Sequence, residues 1–133
     1  MNINKIKKLI DYLKASKMFD QTKYFHPCGT PACIAGHACI MEGYIRDNGS
    51  AFTRFSMVLK KGEYTSMSAE MAATKILELT YQQSQAAFSE APYGYFEDLD
   101  DENWKIKPTT VDDAIAMLEN LIETGEVEWG TNR

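Results

Sequence analysis

The twelve residues from Cys28 to Cys39 read C-G-T-P-A-C-I-A-G-H-A-C. They hold all three cysteines of the chain and one of its two histidines. Thr30 followed by Pro31 is a helix-start signal. A Thr hydroxyl can accept a hydrogen bond from a first-turn amide, and proline costs nothing at the first helical position. The spacing therefore predicts a helix over 31–43. Its interior is small: Ala32, Ala35, Gly36, Ala38 and Cys39. Gly36 weakens an isolated helix by about 1 kcal/mol relative to Ala. The compensation expected is close approach by another backbone, on the face that Gly36 shares with Ala32 one turn earlier. This predicts a buried helix packed on at least two neighbours, with Ile34, Ile40 and Met41 supplying bulk.

Upstream, Ile3, Ile6, Ile10 and Leu13 recur at three- and four-residue spacing, widened by Leu9 and Tyr12. They predict an amphipathic helix from Asn2 to Ala15, with Lys5, Lys7, Lys8 and Lys14 on a solvated outer face. Residues 16–29 form an irregular lead-in whose rings, Phe19, Tyr24, Phe25 and His26, are expected to lie on the core.

Downstream, Asp47-Asn48-Gly49-Ser50 is a turn signal. Phe55, Met57 and Leu59 then alternate, which fits a short strand or a helical turn. Ser68 opens a helix with Met71, Ala72, Ile76, Leu77 and Leu79 as its apolar positions. Thr80-Tyr81-Gln82-Gln83 matches a capping box, so a further helix starts at once and runs to Phe88. Residues 91–108 read as an acidic, aromatic-rich loop. Thr109 or Thr110 caps the last helix, Asp112 and Asp113 suit its first turn, and Gly125 ends it. Val111, Ile115, Leu118 and Ile122 are its expected buried stripe, widened by Leu121. Val127 and Trp129 form a short extended tail that docks on the body. The fold class predicted is mainly α: a compact bundle of about five helices in one domain, 1–133, with room for a short strand pair.

At 133 residues the chain can bury a core without staples. Its net charge of -5 argues against nucleic-acid binding. The helix–turn–helix outline over 68–88 does not change this, because Tyr81 to Glu90 contains no Lys or Arg. Charge is uneven: residues 1–25 carry six Lys against two Asp, and residues 63–133 carry four Lys or Arg against fifteen Asp or Glu. An acidic half can complement the basic first helix or face a basic partner. The charged start without an apolar run predicts no signal peptide, and no stretch approaches the length of a membrane span. An odd cysteine count fits reduced thiols in the cytoplasm.

The Cys28–Ala38 segment resembles a motif, C-G-T-x-x-C-x-x-G-[H or W]-A, of a family of small uncharacterised phage and bacterial proteins. Leu79, Thr80, Gln83 (one place off), Ala86 and Phe88 are similar to a second segment of that family. Leu118 to Trp129 resembles its Leu-x-x-Leu-Ile-x-x-Gly-x-Val-x-Trp ending. The resemblance covers most of the chain and implies a phage-type accessory protein, which would place it in the host cytoplasm, without implying a mechanism. A Trp at the position of His37 implies that the imidazole is not indispensable to what those proteins share.

Three chemistries are open to the Cys28–Cys39 stretch. His26, Cys28, Cys33 and His37, spaced H-x-C-x4-C-x3-H, could hold zinc tetrahedrally; the bland alternative is small buried cysteines and a hydrogen-bonded histidine. Cys33 near a helix start could be an activated thiol, with His26 or His37 as base; its small neighbours argue instead for burial. Gly29, Thr30 and the amides of Ala32 and Cys33 could cradle an anion, unless internal groups fill them. Asp98, Asp100 and Glu102 alternate as in a calcium loop, but the loop glycine and distal Glu are missing. No Ser-His-Asp order, HExxH or GxSxG occurs. The expectation is therefore a non-enzymatic protein, without cofactor, that binds another protein through Tyr93, Tyr95, Phe96 and Trp104.

Overall fold

A computed structural model describes residues 1–21, 23–25, 30–47, 57–88, 95–96, 105–106 and 109–129. Helix α1 spans Ile3–Lys14, with Asn2 at its N-cap accepting from the Lys5 amide. Its buried stripe is Ile6, Leu9, Ile10 and Leu13. Ile3 and Tyr12, expected inside, lie on the flanks, about 40% exposed each (40% and 37%). Lys5 and Lys8 reach Glu42 at the end of the next helix. The Lys5 hydrogen bond, more than any other contact, holds the Glu42 carboxyl below its ordinary range.

Helix α2 spans Ile34–Met41 and is enclosed from Ile34 through Cys39. It packs against α1 on one side and α3 on the other, the two neighbours that its small residues call for. Its start differs from the sequence expectation: Cys33, not Thr30, is the N-cap. Pro31 is extended and bridges to Phe25, and the Ala32 amide donates to the Tyr24 carbonyl at 3.0 Å. That pairing with the preceding segment uses up the backbone that a Thr-Pro start would have wound into a first turn.

After α2 the chain forms a sheet where only a strand pair was anticipated. Strands β1 (Tyr44–Arg46), β2 (Met57–Lys60) and β3 (Met67–Ser68) run antiparallel in the order β1-β2-β3. Tyr44 pairs with Lys60 and Val58 with Met67. Val58 is the fully buried residue of β2, while Met57 and Leu59 are half-buried, the opposite parity to the alternation read from Met57 and Leu59. Phe25, Cys39, Tyr44, Val58, Ala69 and Ala72 form the core beneath this sheet. The fold is thus mainly helical with a small sheet, not a purely helical bundle.

Helix α3 spans Ala69–Leu77, capped by Ser68, and α4 spans Tyr81–Ala87. Both halves of the Thr80–Gln83 capping box form. Between the helices Glu78 takes a left-handed conformation, φ 53°. Strands β4 (Tyr95–Phe96) and β5 (Lys105–Ile106) pair as a two-stranded ladder. Helix α5 spans Val111–Thr124, with a Thr110–Asp113 capping box and left-handed Gly125 at its end. It packs on α1 and buries Ala114, Met117, Leu118 and Leu121. Val111, Ile115 and Ile122 sit at the margin, because Ala114 and Met117 set the stripe one position round. The tail docks as expected: Val127 and Trp129 pack on the core, and Trp129 Nε1 donates to the Ala86 carbonyl at 2.8 Å.

Candidate functional site

The Cys33–His37 turn is held by groups from three parts of the chain. Tyr24 comes first. A Cβ placed on Gly36 would lie 2.1 Å from the Tyr24 carbonyl oxygen, closer than any real contact. This is the backbone approach expected from Gly36, and it leaves room for glycine alone. Gln21, 5% exposed, accepts from the Ile34 amide with Oε1 and donates to the Ala87 carbonyl with Nε2, both at 3.3 Å. It thereby satisfies a first-turn donor of α2 and ties that turn to the end of α4.

The Cys33 sulfur is the cap itself, accepting from the Gly36 amide at 3.4 Å. Burial, partly offset by backbone hydrogen bonds, pushes the Cys33 thiol up to about 11. Burial likewise pushes Cys39 up to about 12; its Sγ donates to the Ala69 carbonyl at 3.4 Å. Both thiols are free and enclosed. Desolvation outweighs the backbone hydrogen bonds of the helix start and favours the neutral thiol at Cys33. Of the groups proposed as an anion cradle, the Ala32 amide donates to the Tyr24 carbonyl and Gly29 lies outside the described residues; the next amides along, Ile34 and Gly36, donate to Gln21 and to the Cys33 sulfur.

His37 is 2% exposed. Its Nδ1 lies 2.7 Å from the Cys33 carbonyl oxygen and its Nε2 2.8 Å from Ser16 Oγ. Tyr12 meets the imidazole edge-on, with ring centres 5.8 Å apart, and Phe19 lies at 6.1 Å on a tilted plane. Zinc ligation by His37 would have to displace Cys33 or Ser16 from a ring nitrogen. His26 and Cys28, the other members of the proposed zinc set, lie outside the described residues. Among the described residues, no three His, Cys, Asp or Glu side chains are placed to share an ion.

Two clefts open near these elements. The smaller, about 320 Å³, lies over Ser16 and His37, with Tyr12, Lys17, Thr30 and Pro31 among its walls. The larger, about 630 Å³, runs between α3 and α4 and is lined by Met71, Thr74, Leu79, Tyr81, Ser84 and the Glu70 and Glu78 side chains. Met71 and Tyr81 are 65% and 76% exposed there. Met71 was expected inside; the Ala72, Ala73 and Leu77 positions bury the other side of α3. Two hydroxyls of its lining are linked, from half-buried Thr74 and buried Ser84. Thr74 Oγ1 donates to the Glu70 carbonyl, and Ser84 Oγ lies 2.7 Å from Thr74 Oγ1. Glu70 Oε2 accepts from the Tyr24 hydroxyl at 3.3 Å and Oε1 from Gln85 at 3.2 Å.

Of the residues expected to bind a partner, Tyr93 and Trp104 lie outside the described residues, and Tyr95 and Phe96 form β4. Sequence reasoning missed Ser16 and the α3–α4 cleft. Ser16 stands 21 positions from His37 and belongs to no motif. The cleft had one legible signal, an unpaired Met and Tyr on the outer faces of two short adjoining helices. Among the described residues, no helix is long and apolar enough to cross a membrane. Compared with models of protein families, with curated proteins and with solved structures, the chain matches none.

Proposed function

We propose that this protein acts by binding another protein, and that the α3–α4 cleft takes a short segment of it. One observation carries the reading: Met71 and Tyr81, two large apolar side chains, stand well exposed on either side of a concave, mainly apolar surface. Adjacent exposed apolar groups of this kind mark interaction surfaces, and a methionine adapts its shape to what it meets. Glu70 and Glu78 at the rim, with a net charge of -5, favour a segment that carries Lys or Arg beside its apolar anchor. Lys75 at the same rim sets the orientation by pairing with an acidic group at the segment's other end. An accessory role of the phage type rests on the resemblance of the Cys28–Ala38 motif.

A random-peptide selection on the purified protein tests this. Enriched peptides should combine a bulky apolar residue with a neighbouring Lys or Arg. Their affinity should fall about tenfold or more in Met71→Asp and in Tyr81→Ala, at unchanged thermal stability. A variant shortened between residues 93 and 104 shows whether that loop adds affinity. Peptides that bind both cleft variants as tightly as the parent protein, or no enrichment over an unrelated protein, would overturn the reading.

A further inference from the structure

We propose that Ser16 is a reactive nucleophile, with His37 as its base, toward small acyl and phosphonyl donors in the cleft between α1 and the α2 start. The inference is independent of the α3–α4 cleft. It begins with a tautomer. The Cys33 carbonyl can only accept, so the 2.7 Å contact places a proton on His37 Nδ1. In the neutral ring Nε2 then carries the lone pair, and Ser16 Oγ, 2.8 Å away, donates its proton to it. The serine oxygen is left with its own lone pairs, at a half-buried position on the cleft wall. This is the nucleophile, base and orienting acceptor that acyl transfer uses, with a main-chain carbonyl as the orienting group.

The surroundings hold that geometry. The imidazole is 2% exposed and confined by Tyr12 and Phe19. Ser16 is fixed at the end of α1 by its own amide, which donates to the Leu13 carbonyl at 2.9 Å. The cleft volume of about 320 Å³ suits a small molecule. Tyr12, Met18 and Pro31 offer it apolar contact, and Lys17 and Thr30 offer polar contact. The class of ligand is a small ester with an apolar acyl group.

In the reaction, Ser16 Oγ attacks the acyl carbon while its proton passes to Nε2. The bond from the acyl carbon to the leaving oxygen breaks, and that oxygen takes the proton from Nε2 as an alcohol or phenol leaves. Water then attacks the seryl ester, giving its proton to Nε2, and the same proton returns to Ser16 as the carboxylic acid departs. With a fluorophosphonate the first half alone occurs: Ser16 Oγ bonds to phosphorus and hydrogen fluoride leaves.

The test is labelling of the intact protein with an alkyl fluorophosphonate, read by intact mass and peptide mapping. One adduct is expected, on Ser16, absent from Ser16→Ala, with circular dichroism showing that the variant keeps the fold. His37→Gln should label about a hundredfold more slowly if it folds. p-Nitrophenyl acetate should give a burst of nitrophenol in the parent and none in Ser16→Ala. No adduct after prolonged exposure, an adduct on another residue, or equal labelling of Ser16→Ala would overturn the proposal.

Discussion

At the scale of single residues, Gly36 and Cys33 decide how α2 begins. Gly36 gives up helix propensity to admit the Tyr24 carbonyl. On an exposed helix Gly→Ala gains about 1 kcal/mol; here Gly36→Ala should lose about 2–3 kcal/mol, because the added methyl meets backbone that cannot step aside. Urea unfolding reads the sign directly, and a stabilised Gly36→Ala would show that the Tyr24 backbone is not where we place it. Gln21 acts by hydrogen bonding. Gln21→Leu leaves the buried Ile34 amide without its acceptor and should cost about 2 kcal/mol. Gly36 could be read from the sequence, since a glycine among alanines inside a helix asks for a reason. The identity of the N-cap could not: Thr30-Pro31 is the better local signal, and it yields to a pairing with Tyr24 and Phe25 that spacing does not reveal.

At the scale of elements, caps were the most legible feature. Ser68, Thr80 and Thr110 each accept from the amide three positions on, and Gly125 closes α5 in a left-handed conformation. These are contacts within one turn, so local sequence specifies them. The left-handed residue that ends α3 is Glu78, not a glycine, and its conformation has a cost. Glu78→Gly should raise stability by about 0.5–1 kcal/mol even after losing the exposed hydrogen bond from Asn2, a change in unfolding midpoint that denaturant titration resolves. The sheet was the least legible element. Its strands are two to four residues long, too short to show a period, and the buried face of β2 is set by Val58 packing with Tyr44 and Ala69, which lie distant in sequence. The Ser16–His37 contact was hidden for the same reason: it joins the end of α1 to the middle of α2.

For the whole molecule, the enclosed thiols make stability depend on alkaline pH. Cys33 and Cys39 are pushed from 9.0 to about 11 and about 12 by burial. Between pH 9 and 11 the unfolded chain releases protons that the folded chain keeps. The unfolded state then binds fewer protons, so stability falls as pH rises, by about 1.4 kcal/mol per pH unit for each thiol. Tyr44, raised above its ordinary 10.0 chiefly by burial, extends the loss at higher pH. Below pH 9 the thiols contribute no slope. Unfolding curves of the parent and of Cys33→Ser combined with Cys39→Ala should diverge only above pH 9, with the variant flatter. Parallel curves would mean that the thiols are open to water in the folded state.

The central claim is that the Cys33 sulfur serves as a helix cap within a tightly packed turn. It is tested most directly by the unfolding free energy of Cys33→Ser, measured with a metal chelator present and compared with the parent protein. Serine is among the best N-caps, so the variant should lie within about 1 kcal/mol of the parent, and the chelator should change neither. A loss of several kcal/mol on substitution, reproduced by chelator alone in the parent, would contradict the claim and make the thiol a metal ligand.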